Sequence, residues 1–303
     1  MATVGIGLAL SLEGLLQRFP ALRDFGIGRL RRNGTPVSPE TLASIIEAQV
    51  IPRLLVAHLP ATDASPSAAE SGPPAVPPPT AADVENFAHA VLARDVTDLQ
   101  SDLDHLLESG IGPQSVLLDL FVPTARMLGT FWDEDRCDFV DVTMGMWRLQ
   151  ELTHALADRL RPTRNGSGAV RRALFGLVEG DQHVLAPLVV SEYFRSCGWD
   201  AVNLGGAGDE ALVAAVASEP FDLVGLTISQ DPQVERVPGL IEALRTNSCN
   251  PGLLVMVGGS LLTERPELAL LLGADATASD ARVAVQRAES LLNAYGFTGA
   301  RHC

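Results

Sequence analysis

The sequence predicts a two-part molecule of mixed class, an all-α segment followed by an α/β segment built on a five-stranded parallel sheet. Two observations and one bound carry this. From residue 81 to 162 apolar residues recur at helical spacing, with no strand-like run between them. After the Gly-rich break Asn165-Gly166-Ser167-Gly168, short β-rich runs alternate five times with helical patterns. A length of 303 residues allows two cores at roughly 100–200 residues per domain.

Taken in order, residues 1–60 read as an N-terminal helical extension. Ser38-Pro39-Glu40 supplies an N-cap, a proline at the first helical position and an acid in the first turn. Leu42, Ile45, Ile46, Val50 and Leu54 continue the helical spacing, with a kink at Pro52. Residues 61–80 contain six prolines and only one large apolar residue, Val76, which reads as a semi-extended linker.

Residues 81–162 read as a four-helix bundle. The first helix opens near Ala82. The second is capped by Asp95 or Thr97 and carries Leu99, Leu103, Leu106 and Leu107. The third follows Gly112-Pro113 with Val116, Leu117, Leu120 and Met127, and the fourth spans about Asp138 to Leu160. Trp147 and Met146 are assigned to the bundle core. Asp133-Glu134-Asp135 is assigned to a solvated loop.

Residues 168–297 hold the α/β part. Strands are expected at Ala173–Val178, Ala201–Leu204, Leu223–Ile228, Leu253–Val257 and Asp275–Thr277, with helices near 184–197, 209–218, 233–246, 264–272 and 279–294. This is the doubly wound, flavodoxin-like (Rossmann-type) arrangement, in which ligands bind outside the carboxyl ends of the strands.

Composition narrows the function. The net charge is −15, with 22 basic residues, all of them Arg, against 37 acids. An acidic chain of this kind does not grip nucleic acid through its own surface, so direct DNA contact is not expected. The four cysteines, Cys137, Cys197, Cys249 and Cys303, show no metal-finger spacing and read as reduced thiols in a cytoplasmic protein. Residues 42–59 are interrupted by Glu47 and Arg53 and do not read as a membrane span, and the N-terminus lacks the basic region of a signal peptide. His58, His89, His105, His154 and His302 show no ligand spacing. Gly205-Gly206-Ala207-Gly208 lacks the lysine of a phosphate-binding loop and reads as a strand-to-helix turn.

The chemistry sits in the loops after the strands. After the first comes Glu179-Gly180-Asp181-Gln182-His183, after the third Thr227-Ile228-Ser229-Gln230-Asp231, and after the fourth Gly258-Gly259-Ser260. A carboxylate on the Nδ1–H of an imidazole fixes the tautomer and leaves Nε2 free for a metal. Asp181 and His183, two residues apart, suit that pairing. Together these loops resemble the DxHxxG…SxL…GG signature of cobalamin-binding domains over about residues 170–295. Thr227 and Ser229 stand at the SxL positions, and Ala186 stands where the motif has its last glycine. The resemblance implies that His183 is the cobalt axial ligand, that Thr227 and Ser229 bond the cofactor's nucleotide tail, and that Gly258 and Gly259 give the tail room.

Residues 121–150 resemble the helical cap preceding such domains in methionine synthase and light-sensing regulators. Trp132 matches the tryptophan that lies against the upper corrin face there. Asp141 and Val142 stand where methyl-transfer relatives have Glu-His. The wording of the segments DFVDVT and MWRLQ resembles the AerR/PpaA-type cobalamin-binding antirepressors. That resemblance implies a non-enzymatic, light-responsive regulator binding adenosyl- or hydroxocobalamin and acting on a DNA-binding transcription repressor of the PpsR/CrtJ type, which controls photosynthesis and tetrapyrrole genes. The alternatives are a corrinoid protein of a methyltransferase system, or a haem or redox sensor on the same scaffold, since relatives with altered motifs bind haem.

Overall fold

The computed structural model describes residues 76–161 and 170–294. The expectations for residues 1–75, including His58 and the helix from Ser38, and for His302 and Cys303, lie outside them. All described residues belong to one compact unit.

Helix α1 (Ala81–Ala93) starts at a reciprocal cap: the Asp83 N–H donates to Thr80 Oγ1 at 3.3 Å and the Thr80 N–H donates to Asp83 Oδ2 at 2.8 Å. Helix α2 (Val96–Glu108) is capped by Asp95, whose Oδ1 accepts from the Asp98 N–H at 3.0 Å. A single α-turn at Pro113–Ser115 then runs into a π-helical stretch, Val116–Phe121, and on into α3 (Val122–Asp133). The widening has a local cause. Pro123 has no N–H and its ring crowds the carbonyl four residues back, so the preceding turn opens to an i→i−5 pattern, with the Val122 N–H donating to the Leu117 carbonyl. Helix α4 (Phe139–Leu160) begins at a second reciprocal cap between Asp138 and Asp141, with bonds of 2.8 and 3.1 Å. It ends at Arg161, just before Pro162.

Leu149, Leu152, Leu156 and Leu160 of α4 are buried together with Val84, Phe87 and Val91 of α1 and Leu99 and Leu103 of α2. Each such leucine contributes about 1.5–3 kcal/mol by leaving water. Met146 is half-buried against this core, as expected. Trp147 is not: it is 46% exposed. On α4 it lies about opposite the Leu149/Leu152/Leu156 stripe, so helical spacing alone could not say which face meets the core.

The sheet contains β1 (Arg172–Leu177), β2 (Asp200–Asn203), β3 (Leu223–Thr227), β4 (Leu254–Gly258) and β5 (Ala276–Thr277), all parallel in the order 2-1-3-4-5. The connecting helices are α5 (Leu185–Ser196), α6 (Asp209–Ser218), α7 (Val237–Asn247), the short pair α8 (Ser260–Glu264) and α9 (Leu268–Leu271), and α10 (Ala281–Ala294). The single helix expected near 264–272 is therefore two pieces, separated at Arg265-Pro266. A 3₁₀ turn, Asp231–Gln233, precedes α7 and delays its start to Val237.

Two apolar layers cover the sheet. Leu174, Val224, Val255 and Val257 point to α6 and α7. Ala173, Phe175, Leu223, Leu254 and Met256 point to α5 and α10, and this layer is continuous with the core of α1–α4. The helical segment and the sheet thus share one core. Polar ties reinforce the joint: Gln114 Nε2 donates to Ser196 Oγ at 2.9 Å, and Arg282 Nη2 lies 2.9 Å from both oxygens of Asp119. The latter pair is partly exposed and contributes on the order of 1 kcal/mol at most. Cys137 and Cys197 are free thiols, as expected. No described helix is long and apolar enough to cross a membrane.

Candidate functional site

In a sheet of order 2-1-3-4-5, β1 and β3 are neighbours whose crossover helices leave in opposite directions, so a crevice opens at their carboxyl ends. The β1 loop brings Asp181 and His183 to this crevice, and the β3 loop brings Ser229 and Gln233. Gly180, with φ of +91°, turns the β1 loop back so that the Asp181 N–H donates to the Val178 carbonyl at 3.0 Å. Outside it, Arg236 ion-pairs with both Glu179 and Asp209, tying the β1 loop to the start of α6.

The Asp181 side chain is fully covered, while the His183 side chain is 58% exposed. His183 Nδ1 lies 2.6 Å from Asp181 Oδ1, and the same oxygen accepts the His183 backbone N–H at 3.0 Å. Two bonds to one oxygen hold the ring in the tautomer that keeps its proton on Nδ1, leaving Nε2 as a free lone pair on the exposed side. Burial alone would raise the Asp181 carboxyl. The His183 bonds, helped by the nearby Ser229 and Gln233 side chains, instead hold it well below the usual carboxylate range. The bond to Asp181 raises the His183 imidazole above its ordinary value, against the opposing effect of burial.

Asp181 Oδ2 is buried and makes no formed hydrogen bond, and neither does Gln233 Nε2. Gln233 is 4% exposed, and its Oε1 accepts the N–H groups of Ser229 and Gln230 at 2.9 and 3.1 Å. This anchors the amide carbonyl and turns its NH₂ away from that turn. Gln233 is the site residue the sequence reading missed. Its only written signal is Gln230-Asp231-Pro232-Gln233, a proline-started helical turn. Burial of the amide is a tertiary outcome.

The remaining site residues sit on the neighbouring strands. Thr227 ends β3 and pairs in register with Gly258, the last residue of β4. A methyl group added at Gly258 would meet only the Ala278 carbonyl, at 3.7 Å. At Gly259, with φ of +111°, a Cβ would lie 2.2 Å from the Ile228 carbonyl oxygen. Gly259 is therefore required by the approach of β4 to the β3 loop, whereas Gly258 would accept a methyl group at an ordinary contact distance. Ala186 lies in the first turn of α5, half-buried, its N–H donating to the His183 carbonyl at 3.1 Å. The Gly205–Gly208 segment is the strand-to-helix turn expected, with Gly208 preceding α6. Trp132 lies at the C-terminal end of α3, 51% exposed. Phe139, Val140 and Met144 at the start of α4 are exposed as well. Asp133, Glu134 and Asp135 are exposed there, and Asp141 is committed to capping α4. Among the described residues no group of three or more metal-ligating side chains occurs.

That description fits a corrinoid. An exposed imidazole offers Nε2 to a metal already ringed by nitrogen donors, Gly258 puts no side chain beside Thr227, and a buried carboxylate orients the ligand. The fold and site define a B12-binding-domain protein, and the B12 binding domain family model matches residues 171–288. The chain belongs to this family, and it is similar to the "uncharacterized 20.5 kDa protein in bchF-crtJ intergenic region" of Rhodobacter capsulatus. The two are 31% identical over 162 residues, 53% of this chain and 83% of the relative. It is also 24% identical to a corrinoid protein of Desulfitobacterium hafniense over 205 residues, 67% of this chain and 89% of that one. Among solved structures, the monomethylamine corrinoid protein of Methanosarcina barkeri shares the fold, with a TM-score of 0.57 at 18% identity, covering 69% of this chain and 96% of its own.

Proposed function

We propose that this chain is a cytoplasmic, non-enzymatic cobalamin-dependent regulator of the AerR/PpaA type, an antirepressor that acts on a DNA-binding repressor of the PpsR/CrtJ type. The observation that carries the cofactor half is the Asp181–His183 pair at 2.6 Å, with a buried acid and an exposed imidazole, at the switch point of the sheet. A cobalamin bound there would supply a cobalt centre with exchangeable ligands. His183 Nε2 would hold the metal, with Asp181 fixing the ring and making Nε2 the better donor. Trp132 would lie against the cofactor. A regulator needs the two ligand states to bind its partner differently, and the core shared by α1–α4 and the sheet offers a path from cofactor to surface.

The regulatory half is supported by the Rhodobacter capsulatus relative, whose name places it in the bchF-crtJ intergenic region. It is also supported by Asp141 and Val142 standing where methyl-transfer relatives have Glu-His. A net charge of −15 suits a protein that meets a basic partner and stays off DNA. A second reading, a corrinoid protein serving a methyltransferase, is favoured by the names of the Desulfitobacterium and Methanosarcina relatives, the latter dimethylamine corrinoid proteins. The test is reconstitution with hydroxo- and adenosylcobalamin, with spectra recorded before and after illumination. The expected result is a ligand-shifted spectrum that His183→Ala abolishes, and repressor affinity that differs between the two corrinoid states. No spectral shift, or the same shift in His183→Ala, sinks the site. Methyl transfer from methylcobalamin to an acceptor with a partner enzyme selects the second reading, and a Soret band without corrinoid uptake selects haem.

A further inference from the structure

The exposed large apolar side chains gather in one stretch of the chain. Five of the eight among the described residues, Trp132, Phe139, Val140, Met144 and Trp147, fall within residues 132–147. Single exposed apolar residues are ordinary, whereas a contiguous group marks an interaction surface. Three of these share one face of one helix. At 3.6 residues per turn, Val140, Met144 and Trp147 of α4 lie within about 60° of one another. Leu149, Leu152 and Leu156, which enter the core, lie on the roughly opposite side. Val142, which stands where methyl-transfer relatives have histidine, lies about 140–160° round the helix from all three. The outward face and that motif position therefore point in different directions.

The same stretch is acidic. Residues 133–151 contain six acids, Asp133, Glu134, Asp135, Asp138, Asp141 and Glu151, against two arginines. Arg136 pairs with Glu134 at 3.4 Å, its guanidinium over the Phe131 ring. Arg148 turns inward to the Val91 and Leu92 carbonyls, at 2.8 and 3.3 Å. Glu151 follows Trp147 by one turn on the outward face. The apolar stripe thus runs from the acidic start of α4 to a further acid.

Area and charge together select the occupant. The three side chains expose on the order of 300 Å², well short of the roughly 800 Å² per partner of a stable complex. A second copy of this chain would bring the same acids to the contact, and an anionic lipid surface would meet the same repulsion. A short helix with one apolar face and basic flanks satisfies both the stripe and the acids.

We propose that the outward face of α4 docks a basic amphipathic helix of a partner protein. Trp147 is the anchor, Met144 and Val140 extend the apolar contact, and Glu151 with the acids at the start of α4 meets the basic flanks. On the regulatory reading, on which the partner's identity rests, this helix belongs to the DNA-binding repressor.

The experiment titrates the full chain by calorimetry, at two ionic strengths, with two probes. One is a PpsR/CrtJ-type repressor. The other is a synthetic amphipathic helix of leucine and lysine, with its leucine–glutamate counterpart as control. Wild type binds both probes, more weakly in high salt, and leaves the acidic helix unbound. An anchoring tryptophan predicts a Kd about thirtyfold higher in Trp147→Ala, a smaller loss in Trp147→Phe, and a weaker salt dependence in Glu151→Gln. The thermal midpoint and hydroxocobalamin uptake stay unchanged in all three variants. Repressor binding that Trp147→Ala leaves untouched overturns this assignment alone. A wild type that binds the basic helix and not the repressor removes the regulatory reading and keeps the surface, whereas binding of neither probe removes both. Equal uptake of the acidic helix overturns the proposal. So does a concentration-dependent mass that Trp147→Ala abolishes, because it gives the face to a second copy of the chain.

Discussion

Replacing Gly259 with alanine separates the two glycines that end β4. The new Cβ falls 2.2 Å from the Ile228 carbonyl oxygen and 2.9 Å from both the carbonyl carbon and the amide nitrogen of that residue. Ile228 cannot retreat freely, because its N–H donates to the Gly258 carbonyl at 2.8 Å and continues the β3–β4 pairing. The backbone at φ +111° adds strain on the order of 1–3 kcal/mol for any residue with a side chain, and relieving the clash costs about 1–3 kcal/mol more. The sum is about 4 kcal/mol, or a thermal midpoint lowered by about 8–16 °C for a unit of this size. Gly258→Ala meets only an ordinary contact at 3.7 Å, so its stability stays within about 1 kcal/mol of wild type. Its methyl group stands beside Thr227 at the carboxyl end of the sheet and, on the cobalamin reading, weakens corrinoid uptake. Urea denaturation of the free variants and spectral titration with hydroxocobalamin read the two effects separately. A Gly259→Ala protein within 1 kcal/mol of wild type refutes the reasoning, because it would mean that the β3 loop yields where the packing says it cannot.

Two further outcomes follow from burial and charge. Trp147→Ala on the outer face of α4 leaves stability within about 0.5 kcal/mol, whereas Leu149→Ala, fully buried on the inner face, costs about 3–5 kcal/mol; equal losses in denaturant midpoints would place Trp147 back in the core. In the free protein, Asp181 has a lowered folded-state pKa, so its stabilising contribution is complete above about pH 4 and is lost as the pH falls towards that lower value. Asp181→Asn therefore flattens the acid limb of a stability–pH profile between about pH 5 and pH 2, and an unchanged slope would show that the carboxylate is not held by His183.

Much of the site was legible because the motif residues lie on loops whose position follows from strand order. Once five β-α alternations imply a doubly wound sheet, the loop after β1 must lie at the switch point, and Asp181-Gln182-His183 goes with it. The caps at Asp95 and Asp138 were equally legible, since a short polar side chain before an apolar run has a local partner in the first turn. Gln233 was not, because nothing local distinguishes a buried amide from a solvated one. Trp147 was misassigned for the same reason. Apolar spacing on α4 runs around both faces, and only packing against α1 and α2 decides which one is covered.

The sequence by itself determined the order of elements, the parallel sheet, the acid–imidazole pair and the acidic character of the surface. Each of these depends on residues near one another in the chain or on sums over it. Only the tertiary structure decided that the helical segment and the sheet share one core, and that Gly259 is held by the β3 backbone while Gly258 would accept a methyl group. These depend on contacts between residues tens of positions apart, whose geometry is set by how whole elements pack.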